Sequence, residues 1–182
     1  MSEPTYLPLL NSIAVNEAKG EILLNAWADA TQDEALKQAL RFVAIREGEH
    51  HWAFTKRMCE LGHAVCEETA FQFFKDFDDL VAFIRSDATD AEKVARTSRG
   101  DGGDGKDPFA SFFNDTSIDP QTGELLGRYI AEERDSGRRL KAEYDRVCVA
   151  SEAPVSELAE LKACVETLQK ELADLKRVRS VA

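Results

Sequence analysis

Glycine and proline are sparse in this 182-residue chain before residue 100, and strand-like alternation of apolar and polar residues is missing. Both absences argue against a turn-rich β architecture and leave helical periodicity as the dominant signal. No apolar run approaches the roughly 20 residues that span a bilayer, and the opening MSEPTYLPLL lacks the basic start and apolar stretch of a secretory leader, so a soluble, cytoplasmic protein without membrane association is expected. Positive charge is in deficit: 23 Lys and Arg stand against 34 Asp and Glu, a net charge of -11. Such a field repels phosphate backbones and disfavours nucleic acid as a partner. The four cysteines, Cys59, Cys66, Cys148 and Cys164, form no CxxC pair and no zinc or iron-sulfur spacing, and are expected as free, buried or half-buried thiols.

What remains is an all-α pattern with room for one bundle domain, residues 1–150, and an appended helix, residues 152–180. The periodicity predicts a first helix over 9–30. Thr31 with Glu34 makes a capping box between it and a second helix that stops at Gly62. A third helical segment is expected over 69–86, with Phe74, Phe77, Val81 and Ile84 on one stripe and a weak continuation to residue 95. RGDGGDGKDP begins a flexible loop over 99–118; its Asp spacing is too incomplete for a calcium loop. Asp119 and Pro120 open the last bundle helix, expected to end near Val149. After SEAP, Leu158, Leu161, Val165, Leu168, Leu172 and Leu175 alternate three and four apart, a coiled-coil seam. Glu157 with Lys162, and Glu171 with Lys176, favour a parallel homodimer, although packing within one chain is the alternative.

The sharpest signal lies in the second helix. Leu36, Leu40, Val43, Glu47, His50, Phe54 and Leu61 follow one three-four rhythm, so a carboxylate and an imidazole occupy core positions. Polar groups in a bundle interior are costly unless hydrogen bonds or a metal compensate. Glu17 interrupts the first helix's stripe in the same way, with Glu21 one turn on, and folding at Thr31 brings Glu17 level with Glu47. Glu17, Glu47 and His50 are therefore candidate metal ligands, with a solvated Glu17 and a satisfied Glu47–His50 core pair as the plainer reading. His51 and His63 are expected at the surface or beside the ligands.

The segment NEAKGEILLNAWADATQDEALKQALRFVAIREGEHHWAF resembles the first helical hairpin of the ferritin-like superfamily, rubrerythrin branch, in which a Glu precedes ExxH by about 30 residues, here Glu17 and Glu47. The resemblance covers residues 8 to 149 and implies a ferritin-like antiparallel helical bundle, here followed by the C-terminal coiled-coil helix. It also implies a carboxylate centre of two iron ions, manganese being the alternative, that oxidises ferrous iron or reduces peroxide.

The family repeats Glu and ExxH in a second hairpin, and this chain repeats them only in part. LLGRYIAEERDSGRRL places Leu126, Tyr129, Glu133, Ser136 and Leu140 on the inner stripe, so Glu133 matches Glu47 while Ser136 stands where a His is expected. Glu132 and Asp135 are expected to point away, and Phe83, Ile84, Asp87 and Glu92 offer no convincing ligand from the third segment. Two arrangements complete a centre: Glu17, Glu47, His50 and Glu133 of one chain, or two copies of the Glu17, Glu47, His50 set across a twofold axis, as in encapsulated ferritins. A non-haem iron oxidoreductase of this type needs an external electron donor for peroxide reduction, since no rubredoxin-like cysteine site is present. The alternative is a degenerate bundle acting as a structural or oligomerising protein.

Overall fold

The computed structural model describes residues 4–74, 76–97, 109 and 112–179, with side chains given up to residue 151 and at 164, 165 and 167. The described residues form five helices and no strand: α1 (Leu7–Ala30), α2 (Glu34–Glu60), α3 (Phe77–Arg85), α4 (Asp90–Thr97) and α5 (Pro120–Arg179). None of them is long and apolar enough to cross a membrane. The chain divides into two compact units, residues 1–144 and 145–182.

The first unit is an all-helical bundle built on the α1–α2 hairpin. The hinge between them is three residues long, and its chemistry differs from the expected capping box. Asp33, not Thr31, caps α2, its Oδ1 accepting from Leu36 N–H at 2.9 Å. Thr31 instead accepts from Asp33 N–H at 3.1 Å and donates to Asp90 at 2.6 Å. Asp90 also accepts from Trp27 Nε1 at 2.7 Å, which ties the start of α4 to the end of α1. At the far end of α2, Gly62 adopts φ 83° and His63 N–H reaches Met58 C=O at 2.9 Å, a left-handed helix stop that glycine makes without steric cost.

Core side chains from three helices interlock. Leu10, Ile13 and Ala14 of α1, Phe54 and Met58 of α2, and Leu126, Tyr129 and Ile130 of α5 form one buried cluster. Asp119 caps α5 as the sequence predicts, accepting from the Gln121 and Thr122 amides at 3.0 and 3.1 Å. It also takes Arg57 of α2 at 2.9 Å and the Tyr6 hydroxyl at 2.7 Å, so one cap fastens the α5 start to both earlier helices. These partners hold its carboxyl well below the usual range although burial alone would raise it.

Residues 69–86 do not form one helix. Residues 69–74 are non-helical, Asp76 sits in the left-handed region at φ 51°, and α3 begins only at Phe77. The physical reason is that α1 claims this backbone. Asn16 Nδ2 donates to Phe71 C=O at 2.7 Å, Asn16 Oδ1 accepts from Phe73 N–H at 2.9 Å, and Ser12 Oγ accepts from Phe71 N–H at 3.0 Å. Polar groups satisfied by α1 have no need of helical partners. The phenylalanine spacing that mimics a helical stripe serves another purpose. The continuation to residue 95 is likewise a separate helix, α4, opened by Thr89 and Glu92 in a reciprocal capping box.

α5 continues from Pro120 to Arg179, so the expected end near Val149 and restart after SEAP are replaced by one helix. The loop expected over 99–118 falls mostly outside the described residues, as do the leucine side chains of the expected seam. All four cysteines are free, yet Cys59 and Cys164 are exposed rather than buried.

Replacing Asn16 by Ala leaves the Phe71 carbonyl and Phe73 amide without their partner at a cost of about 2 kcal/mol. Urea denaturation of Asn16→Ala, read against the unchanged chain, checks this; an unaltered midpoint would mean that water replaces the amide freely.

Candidate metal centre

About four turns from the hinge, the helices expected to carry ligands meet at His50. Its ring is 2% exposed and lies between α1 and α5. Nδ1 is 3.1 Å from Glu17 Oε2 and 3.4 Å from Glu133 Oε1, and Nε2 is 2.8 Å from Glu132 Oε2. The nitrogen of His50 and the carboxylate oxygens of Glu17 and Glu133 all lie within 4.8 Å of one another. Tyr129 packs edge-on to the imidazole and donates its hydroxyl to Glu17 Oε1 at 2.9 Å. The structure thus brings Glu17, His50 and Glu133 together from three helices.

Glu47, one turn earlier on α2, lies outside that close group of three and reaches it only through Glu17. It keeps some surface where it borders a cavity, and its carboxylate lies within hydrogen-bonding reach of Glu17. Gly20 makes room for it, because a Cβ there would stand 2.3 Å from Glu47 Oε2. A mid-helix glycine costs about 1 kcal/mol relative to alanine, so its position opposite the acid is the local compensation.

The electrostatics follow from crowding. Burial raises the Glu17 carboxyl, opposed by the hydrogen bond from His50, with the charge of Glu133 adding to the rise. Burial and the charges of Glu17 and Glu133 push Glu47 well above the ordinary range. Burial by itself would lower His50, but hydrogen bonds to Glu133, Glu17 and Glu132 prevail and push it up to about 10. Burial, with the charges of Glu17 and Glu133, drives the Tyr129 phenol far up, so it stays a donor. Glu133 Oε1 is out of water and makes no close hydrogen bond; its contact is the 3.4 Å ion pair with His50 Nδ1. A carboxylate oxygen so weakly held, facing an imidazole nitrogen and a second carboxylate, belongs to a donor set suited to a hard divalent cation.

One correction concerns the last helix. Glu132, expected to face away, contacts His50 Nε2, and Arg128 holds its other oxygen at 3.0 Å. Burial alone would raise its carboxyl; these hydrogen bonds lower it instead. Adjacent helical residues point about 100° apart, yet an imidazole offers nitrogens on two sides, so one ring reaches both neighbours. That requirement for two partners was the signal available in the sequence. Ser136 is buried as expected, and Arg46 explains what replaces the missing His there. Its guanidinium donates to Ser136 Oγ at 3.1 Å, Glu132 C=O at 3.1 Å and Asp135 at 3.0 Å, placing a fixed cation beside the vacant ligand position. Asp135 therefore serves Arg46 and Arg139, not His50. Among the other residues weighed, Glu92 caps α4, Ile84 is core, and His51 Nδ1 meets Ala14 C=O at 2.8 Å.

Beside the cluster opens a cavity of about 560 Å³. Glu17, Glu47, Glu133 and Tyr129 line one end, and Phe71, Phe73, Phe74, Phe109 and Phe112 line much of the rest.

The fit of Gly20 to Glu47 is testable by a double-mutant cycle. In a Glu47→Ala background, Gly20→Ala should stabilise by about 1 kcal/mol through helix propensity. With Glu47 present the gain should vanish, because the carboxylate must swing away from Glu17; equal effects in both backgrounds would contradict the assignment. Comparison with protein-family models, with characterised proteins and with solved structures gives no match, so it is the geometry of this cluster that bears on function.

Proposed function

We propose that the chain is a metal-binding helical bundle of ferritin-like type whose centre uses Glu17, His50 and Glu133 as ligands, with Glu47 placed to serve a second ion. The observation that carries this reading is the convergence of Glu17, His50 and Glu133 within 4.8 Å, with the buried Glu133 Oε1 held only by the 3.4 Å ion pair to His50 Nδ1. Carboxylate oxygens with one imidazole nitrogen suit iron, and manganese by the same chemistry. Such an ion, when bound, supplies redox chemistry toward oxygen or peroxide, which supports a non-haem iron oxidoreductase as the activity.

The chain's own residues have separate tasks. Glu132 accepts the Nε2–H of His50, fixing the tautomer that turns the Nδ1 lone pair toward the acids. Tyr129 orients Glu17 through Oε1 and leaves Oε2 on the His50 side. Arg46 at Ser136 opposes a second cation at that end, which favours one ion, or an unequal pair with Glu47, over a symmetric centre. A set completed within one chain removes the need for ligands across a twofold axis, although a homodimer and an external electron donor remain part of the proposal.

A second reading has its own observation. Ser136 and Arg46 together fill half of the expected site, and His50 held between Glu17 and Glu132 forms a plausible ion-paired core for a purely structural bundle. Metal binding separates the two. Metal-free protein given ferrous iron or manganese anaerobically should bind about one to two ions per chain, and His50→Ala or Glu133→Gln should abolish the binding. Glu132→Gln, which preserves shape, should weaken it about 10–100-fold. No uptake above the His50→Ala level leaves the structural reading.

The same titration has a pH signature. The acids around His50 push it up to about 10, so an ion bound at Nδ1 must displace a proton from the ring at neutral pH. Affinity should rise with pH, and calorimetry in buffers of different ionisation enthalpy should report release of about one proton or more per ion. A pH-independent affinity would place binding elsewhere.

A further inference from the structure

The phenylalanine-walled cavity is larger and less polar than a metal centre requires. A small oxidant or a single ion occupies a fraction of 560 Å³, and the volume falls in the range of sites for small organic ligands, roughly 300–1,000 Å³. Ordered water needs two to four polar partners, which phenyl rings do not provide. The wall is also built in place. Three hydrogen bonds from Ser12 and Asn16 hold the backbone of Phe71 and Phe73 against α1, at the expense of the helix that residues 69–76 would otherwise continue. Phe109 and Phe112 pack edge-on to one another, and both rings lie against Tyr129. At the polar end the cavity meets the acids Glu17, Glu47 and Glu133 and the Tyr129 ring.

We propose that this cavity binds a small organic molecule with an apolar, aromatic body and one hydrogen-bond-donating end, a hydroxyl or an ammonium, directed at Glu17, Glu47 and Glu133. The body stacks on the phenylalanine wall, where aromatic pairs prefer edge-on or offset contact. The donor end complements carboxylate oxygens, and an anionic end is repelled by them. The inference rests on the metal-centre reading for what the bound molecule meets in the loaded protein, where its polar end lies at the ion. The cavity itself exists in the metal-free chain, so the two can fail separately.

The test uses the full chain, metal-free and after manganese loading, with phenol, benzylamine and benzoate as probes followed by saturation-transfer NMR. In metal-free protein phenol or benzylamine should show transfer and bind about tenfold more tightly than benzoate. Phe71→Ala, at a side chain 66% exposed and so tolerant of change, and Leu9→Trp, which fills the cavity, should each weaken the better probe by about tenfold. Circular dichroism verifies that both variants keep their helix content. In manganese-loaded protein the ring protons of bound phenol should broaden by paramagnetic relaxation. Failure of both donor-ended probes to bind, equal binding of benzoate to metal-free protein, or indifference to both variants overturns the proposal. Wall-dependent binding in a protein that takes up no manganese upholds the cavity and rejects the metal centre; manganese uptake with neither probe binding does the reverse.

Discussion

His50 is the constraint around which the first unit is arranged. An imidazole almost wholly out of water, with acids on both sides, is stable only if each ring nitrogen has a partner and each acid is compensated. Nδ1 faces Glu17 and Glu133, and Nε2 faces Glu132, so the ring joins α1, α2 and α5 by its polar atoms as the apolar cluster joins them by packing. Each nearby feature follows. Gly20 leaves space for Glu47, Tyr129 places a neutral donor on Glu17, and the Asp119 cap, bound to Arg57 and Tyr6, sets where α5 starts along the other two helices.

Four acids and one imidazole within a bundle interior repel one another more than they attract. Protons relieve this in the metal-free chain, as the raised carboxyls and the raised imidazole show. A divalent cation relieves it more fully, by supplying two charges where the acids converge. Glu133 Oε1, held only by the 3.4 Å ion pair to His50, is where that relief is least complete. The proposed centre and the proposed cavity draw on neighbouring acids, one through a cation and the other through a hydrogen-bond donor.

Much of the hairpin was legible because helix periodicity and chemistry reinforce each other there. Glu47 and His50 stand out where Leu or Ala belongs, and Glu17 does so on the facing helix. Legibility failed where one pattern had two causes. Phe74, Phe77, Val81 and Ile84 keep helical spacing, but only Val81 and Ile84 are buried on a helix, and Phe74 lines the cavity. Nothing in the spacing reveals that Ser12 and Asn16 take the backbone of that segment. Ser136 reads as a gap in the ligand set because spacing shows a serine at an inner position and not the Arg46 that meets it from ninety residues away. Glu132 was assigned outward from helix geometry alone, which ignores that a ring with two nitrogens reaches beyond one stripe.

The ion proposed among Glu17, His50 and Glu133 is located most directly by anomalous diffraction. Crystals grown metal-free and soaked in manganese should show an anomalous difference peak in bonding contact with Glu17, Glu133 and Nδ1 of His50, with Nε2 still on Glu132. A peak bound by other residues, or an empty cluster with His50 bridging Glu17 and Glu132 unchanged at saturating manganese, would contradict it.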